Sequence, residues 1–136
     1  MYPEEITAPM RADLTSAGVT ELITAADVDV AMQQSGTTLM IVNSVCGCAA
    51  GSARPGAKAS LDGAKKPDNI YTVFAGVHKE AVAKAREYMM PYPPSSPCIA
   101  LFKDGELVHM IERHHIEGRS AEMIAGHLKE VYNEFC

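Results

Sequence analysis

The chain has 136 residues, 47% of them apolar, and a formal net charge of −5. That apolar content argues against global disorder, and the scattered basic residues argue against a nucleic-acid-binding surface. Met1-Tyr2-Pro3-Glu4-Glu5 lacks the regions of a signal peptide, and no apolar run reaches the ~20 residues that span a bilayer, so one soluble, cytoplasmic domain over residues 1–136 is expected, without a membrane or nucleic-acid partner.

In chain order, residues 1–20 contain Pro3, Pro9 and Gly18 and read as an N-terminal arm with one helical turn around Met10 and Leu14. Thr24-Ala25-Ala26-Asp27 has the form of a capping box, which predicts a helix over 24–34, stopped at Ser35-Gly36. Residues 38–45 are nearly continuous in apolar and β-branched side chains, the pattern of a strand buried on both faces. Cys46-Gly47-Cys48 follows at once. Residues 49–61 are small and helix-like, with Pro55 and Gly56 expected to kink or interrupt them.

Residues 70–75 predict a second strand. Residues 79–90 predict a helix with Val82, Ala85 and Met89 on one face. Pro91-Tyr92-Pro93-Pro94-Ser95-Ser96-Pro97 excludes helix and central strand. Residues 98–103 and 106–112 read as strands joined by the hairpin signal Asp104-Gly105. Residues 113–118 read as a polar, histidine-rich connection. Ser120 is a good N-cap for a last helix whose apolar face is Ala121, Ile124, Leu128, Val131 and Phe135. The order predicts an α/β fold. A mixed four-stranded core sheet, its first two strands parallel and its last two antiparallel, is flanked by helices and preceded by an extra N-terminal helical segment.

The four cysteines, Cys46, Cys48, Cys98 and Cys136, do not form a disulfide framework. A reducing compartment keeps thiols free, so the close pair reads as catalytic or metal-binding. The N-terminus of a helix favours negative charge and lowers the pKa of a thiol placed there. Cys46, the first cysteine after the strand, is the candidate nucleophile, and Cys48 the candidate resolving thiol. Gly47 widens the backbone angles open to so short a loop. A small ring between the two cysteines implies an oxidising pair, suited to mixed-disulfide exchange or isomerisation more than to general reduction. Two other readings stay open: a buried pair of small residues, and a soft-metal site made by Cys46, Cys48 and Cys98.

The element order, with a cysteine motif after the first core strand and a proline before the hairpin, resembles the thioredoxin fold. Pro97 then takes the place of that fold's cis-proline, which lies against the cysteine motif. Pro9-Met10-Arg11-Ala12-Asp13-Leu14, Asn43-Ser44-Val45-Cys46-Gly47-Cys48-Ala49, Pro93-Pro94-Ser95-Ser96-Pro97 and Glu112-Arg113-His114-His115-Ile116-Glu117-Gly118 together resemble the bacilliredoxin family over essentially the whole chain. The resemblance implies a cytoplasmic thiol–disulfide oxidoreductase that removes bacillithiol from proteins carrying it in mixed disulfides. Its co-substrate is bacillithiol, its partners are S-thiolated client proteins, and no bound cofactor is expected. Protein disulfide isomerase or general thiol oxidoreductase activity is the alternative. The oligomeric state stays open, a homodimer among the options.

Cys98 departs from the expected pattern, where a small residue such as serine would follow the proline. It reads as a small core residue or as an auxiliary thiol. Cys136 reads as a free terminal thiol. His109, His114 and His115, with Glu112 among them, read as a solvated connection, because adjacent histidines in an extended segment point to opposite faces. Arg54 and Lys58 read as surface cations, with added positive charge near the site as the alternative. Tyr92 reads as loop packing or as a wall of the site.

Overall fold

A computed structural model describes residues 2–136. Its elements are α1 (Glu4–Thr15), β1 (Thr20–Glu21), α2 (Ala25–Met32), β2 (Thr37–Asn43), a π-helical turn (Ala49–Ala53) running into α3 (Arg54–Ser60), β3 (Asn69–Phe74), α4 (Lys79–Tyr88), β4 (Cys98–Lys103), β5 (Glu106–Ile111), α5 (Arg113–Ile116) and α6 (Ala121–Phe135). The strands form one sheet in the order β1-β3-β2-β4-β5. β2 pairs in parallel with β3 and antiparallel with β4, and β4 pairs antiparallel with β5.

All seven residues of β2 are buried, as the continuous apolar run predicts. Successive side chains of a strand point to opposite faces, and the core divides accordingly. Met40, Val42, Val73, Cys98, Ala100 and Phe102 face the layer of α2 and α4. Leu39, Ile41, Ile99 and Leu101 face the layer of α1, α3 and α6. Thr24 caps α2 by accepting from the Asp27 backbone N–H at 3.0 Å, while the Asp27 carboxylate accepts from the Thr24 N–H at 3.1 Å. Asp104 has φ 50° and Gly105 φ 85°, the left-handed pair that a two-residue hairpin turn requires.

The N-terminal region differs from its expectation. Residues 4–15 form a full helix, with Pro9 inside it. Pro9 costs one backbone hydrogen bond, but Thr7 and Leu14 are fully buried, and Arg11 joins Glu4 and Glu21. Tertiary burial outweighs local propensity here. The four core strands stand as expected, and a two-residue fifth, β1, adds to the sheet edge beside β3. Residues 113–118 also differ: α5 forms there and buries Ile116 completely. Pro55 enters the first turn of α3, directly after the π-helical turn, which is the interruption expected at that point.

Candidate active site

β2 ends in Asn43, whose buried side chain makes three hydrogen bonds. Its Oδ1 accepts from the Ser44 N–H and from Arg54 Nη1, both at 2.9 Å. Its Nδ2 donates to the Met10 carbonyl at 3.0 Å, which ties α1 to the end of the sheet. Ser44 Oγ then accepts from the Cys46 N–H at 3.1 Å. The Cys46 carbonyl accepts from the backbone N–H groups of Ala49 and Ala50, at 3.0 and 3.3 Å. These local bonds turn the chain from strand to helix within five residues, as short side-chain acceptors do at such turns. Cys46 and Cys48 are thereby set one above the other, their sulfurs 2.8 Å apart.

The two thiols are electrostatically unequal. The pKa of Cys46 lies below the ordinary thiol range, first because the Cys48 S–H donates to its sulfur. Partial burial opposes this, while the backbone N–H of Cys48, the charge of Arg113 and the Ala49 N–H add to it. Cys48 is pushed up to about 11, first by burial, then by its hydrogen bond to Cys46 and the charge there. Of the two thiols Cys46 therefore ionises first, with Cys48 as its hydrogen-bond donor. The helix N-terminus contributes through the N–H groups of residues 48 and 49, but the dithiol itself is the larger cause.

The Ser96–Pro97 peptide bond is cis, and so is Met90–Pro91. Ser96, Ser44, Val45 and Cys46 line one open cavity of about 370 Å³ with Tyr2, Gly76 and Arg113. The loop before Pro97 thus flanks the dithiol, as the thioredoxin-like setting requires. Cys98 does not reach this cavity. It is fully buried, lies opposite Val42 in the sheet register, and is pushed up to about 12, chiefly by burial. Cys136 is exposed. Among the described residues, the side chains close enough to hold a metal together are Glu112, His114 and His115, with no cysteine in the group. Geometry therefore gives no support to a soft-metal set of Cys46, Cys48 and Cys98. Tyr92 is exposed and is not among the residues lining the Cys46 cavity.

Two arginines matter more than their sequence context suggests. Arg54 is buried beneath the turn and donates to Asp13, to Asn43 and to the Ser44 carbonyl. Lys58 pairs with the same Asp13. Arg113, in α5, donates its backbone N–H to Ser95 Oγ at 2.7 Å and Nη1 to the Ser96 carbonyl at 3.3 Å. It also pairs with Glu117 at 2.7 Å. It braces the proline loop and places a positive charge toward both sulfurs. The motif 112–118 was the available signal for it, but in an extended connection that signal carried no role; α5 supplies one.

The family described as disulphide isomerase matches residues 2–136. A bacilliredoxin of Cytophaga hutchinsonii is 64% identical over 134 residues, covering 98% of this chain and 99% of that protein. A bacilliredoxin of Halalkalibacterium halodurans is 53% identical over 136 residues, covering 99% and 94%. Among solved structures, the oxidised mitochondrial thioredoxin 3 of Saccharomyces cerevisiae aligns with a TM-score of 0.59 at 18% identity, over 90% of this chain and 98% of that one. A thioredoxin of Halobacterium salinarum aligns with a TM-score of 0.59 at 16% identity, over 85% and 88%. These last two carry the fold alone. With matches of this identity along almost its entire length, the chain belongs to the family described as disulphide isomerases, the bacilliredoxins.

Proposed function

We propose that this thiol–disulfide oxidoreductase removes bacillithiol from protein mixed disulfides, with Cys46 as nucleophile and Cys48 as resolving thiol. The observation that carries the assignment of roles is the asymmetry of the pair: Cys46 ionises first while Cys48, 2.8 Å away, stays protonated. The choice of bacillithiol is what the resemblance to the bacilliredoxin family implies, and relatives bearing that family's name support it.

In the first step the Cys46 thiolate attacks the small thiol's sulfur in the client's mixed disulfide. The client's sulfur leaves as a thiolate, and Cys46 now carries bacillithiol in a new disulfide. In the second step Cys48 loses its proton and attacks Cys46 Sγ. Bacillithiol leaves as a thiolate and a Cys46–Cys48 disulfide forms, so the dithiol has supplied two electrons, taken up by the mixed disulfide as it becomes client thiol and bacillithiol. A second free bacillithiol attacking the adduct is the competing route, and it leaves Cys48 reduced. Gly47 leaves open space around the turn, since a Cβ there would meet nothing within 4 Å. The loop before Pro97, braced by Arg113, borders the cavity where the client's extended chain would lie. Cys98 serves packing in this reading. Such exchange suits a reducing, cytoplasmic setting, and no helix of the described residues is long and apolar enough to cross a membrane.

The test is a de-bacillithiolation assay on a defined client, read as mass loss from the client. The parent protein restores the client thiol, Cys46→Ala does not, and Cys48→Ala accumulates the Cys46–bacillithiol adduct. Full activity in Cys46→Ala overturns the assignment. The family's description favours disulfide isomerisation as a second reading; a scrambled-disulfide substrate regained faster than the bacillithiolated client is released would establish it instead.

A further inference from the structure

Four of the five histidines lie in β5, α5 and α6. A bulge between β4 and β5 shifts the register so that His109 faces Leu101 across the ladder. That places it on the side covered by α6. His127, on α6, meets it: the two Nε2 atoms are 2.9 Å apart, with ring centroids 5.0 Å apart and ring planes at 44°. Met123 lies one turn before His127 on the same helix face. With both imidazoles it lines a cavity of about 230 Å³ open to solvent. Met123 is 56% exposed, so its thioether is not used up in the core.

The other histidine cluster is weaker as a chelate. His115 Nδ1 accepts the Glu112 backbone N–H at 3.1 Å. In the neutral ring its Nε2 then carries the hydrogen and has no lone pair to offer. His114 lines a groove with two cations, Arg86 and Arg113, which oppose a metal ion more than the single Arg119 of the His109–His127 cavity does. In the His109–His127 pair, by contrast, both Nε2 lone pairs become available once the shared proton moves to an Nδ1 position.

We propose that His109 and His127 form a copper-binding site, with the Met123 thioether as the third donor. The donor set decides the metal class. The 2.9 Å contact, with ring centroids 5.0 Å apart, is a head-on hydrogen bond, so the two rings turn to bring both nitrogens onto one ion. Imidazole suits copper, nickel and zinc alike, and the soft thioether lining the same cavity favours copper among them and holds copper(I) as well. Water completes the copper(II) coordination on the open side of the cavity.

The experiment uses the full-length, untagged chain with Cys46, Cys48 and Cys136 each changed to Ser, so that no exposed thiol competes for the metal. Copper(II) alone is titrated in, and uptake is followed by metal analysis and by electron paramagnetic resonance. One copper per chain is expected, with hyperfine coupling to two imidazole nitrogens. His109→Ala and His127→Ala each weaken binding about tenfold or more. Arg119→Ala, which lines the cavity without being a proposed donor, leaves binding unchanged. Met123→Leu weakens copper(I) binding against a competing chelator. Circular dichroism of each variant, matched to the parent, separates loss of ligands from loss of fold. No uptake, uptake without nitrogen coupling, or uptake unchanged in both histidine variants overturns the proposal. Unchanged copper(I) affinity in Met123→Leu removes the thioether from it.

Discussion

Replacing Arg54 by Met should destabilise the protein by about 3 kcal/mol and loosen the turn that carries Cys46. The Arg54 side chain is 6% exposed and makes three contacts: Asp13 at 3.1 Å, and Asn43 Oδ1 and the Ser44 carbonyl at 2.9 Å each. Removing one partner of a buried ion pair costs about 3–5 kcal/mol. The lower end applies here, because Asp13 is 34% exposed and keeps Lys58 as a partner. Asn43 Oδ1 also keeps the Ser44 N–H. The Ser44 carbonyl loses its Arg54 donor, and a buried acceptor so orphaned costs about 1–3 kcal/mol, already contained in that figure. An unfolding entropy of about 2.1 cal/mol/K per residue converts the loss to a fall in Tm of roughly 10 °C for a chain of 136 residues. Thermal and urea unfolding, followed by circular dichroism, measure it. Arg54→Lys keeps a charge for Asp13 but not the planar fork that reaches Asp13 through Nε and both Asn43 and Ser44 through Nη1, so it should fall between parent and Met variant. Alkylation kinetics of Cys46 in the same variants report on the turn. A Met variant within 1 kcal/mol of the parent, or unaltered Cys46 kinetics, would refute the claim that Arg54 holds the site from beneath.

The thiolate form of Cys46 grows as pH rises, so its alkylation by iodoacetamide should increase through a midpoint below that of a free thiol. Cys48→Ala removes the main cause of that lowering and Arg113→Ala a smaller one, so both should move the midpoint up, the first by more; two unchanged midpoints would discard the electrostatic account. Titration with a disulfide reagent should find Cys46, Cys48 and Cys136 in the native protein and Cys98 only after unfolding; prompt native reaction of Cys98 would contradict its burial. Gly56→Ala should lower the urea midpoint, because a Cβ there would lie 2.7 Å from Ile124 Cβ and Cγ2, and 3.1 Å from the Ala121 carbonyl. Overpacking of that kind costs about 1–3 kcal/mol, enough to cancel or exceed the roughly 1 kcal/mol that alanine gains over glycine in a helix; a more stable variant would show that α3 and α6 can separate freely.

What could be read from the chain was what local chemistry decides. The run before Cys46 announced a doubly buried strand, Thr24 and Asp27 announced a cap, and Asp104-Gly105 announced the hairpin. Pro97 stands directly before a strand, the place of a cis-proline in a thioredoxin-like fold, and its bond to Ser96 is cis. What could not be read depended on partners distant in sequence. Pro9 marks a helix break until Leu14 is seen packed in the core beside the sheet and Thr7 buried. β1 has two residues, and its pairing with Tyr71 and Thr72 lies 51 positions away. Arg54 looks like any surface cation because nothing local shows Asp13 and Asn43 converging on it. Arg113 falls within residues 112–118, but only the formation of α5 aims it at the proline loop. His109 and His127 are 18 positions apart and meet only because of a bulge.

The inequality between the two cysteines is not a fixed property of the turn. Burial holds the Cys48 thiol up, but its hydrogen bond to Cys46 and the charge on Cys46 hold it up as well. In the proposed reaction the first step converts Cys46 from a thiolate into one half of a disulfide. Its charge is gone, and its sulfur no longer accepts a hydrogen bond as an anion does. Two of the causes that kept Cys48 protonated therefore vanish when Cys48 is needed as a nucleophile, while the favourable charge of Arg113 remains. Burial and the charge of Glu117 remain too, so Cys48 becomes more acidic without becoming an ordinary exposed thiol. The resolving thiol is thus restrained while Cys46 is free and released by the adduct itself. This ordering needs the sulfurs to be in contact, and a spacer of one small residue supplies that contact directly.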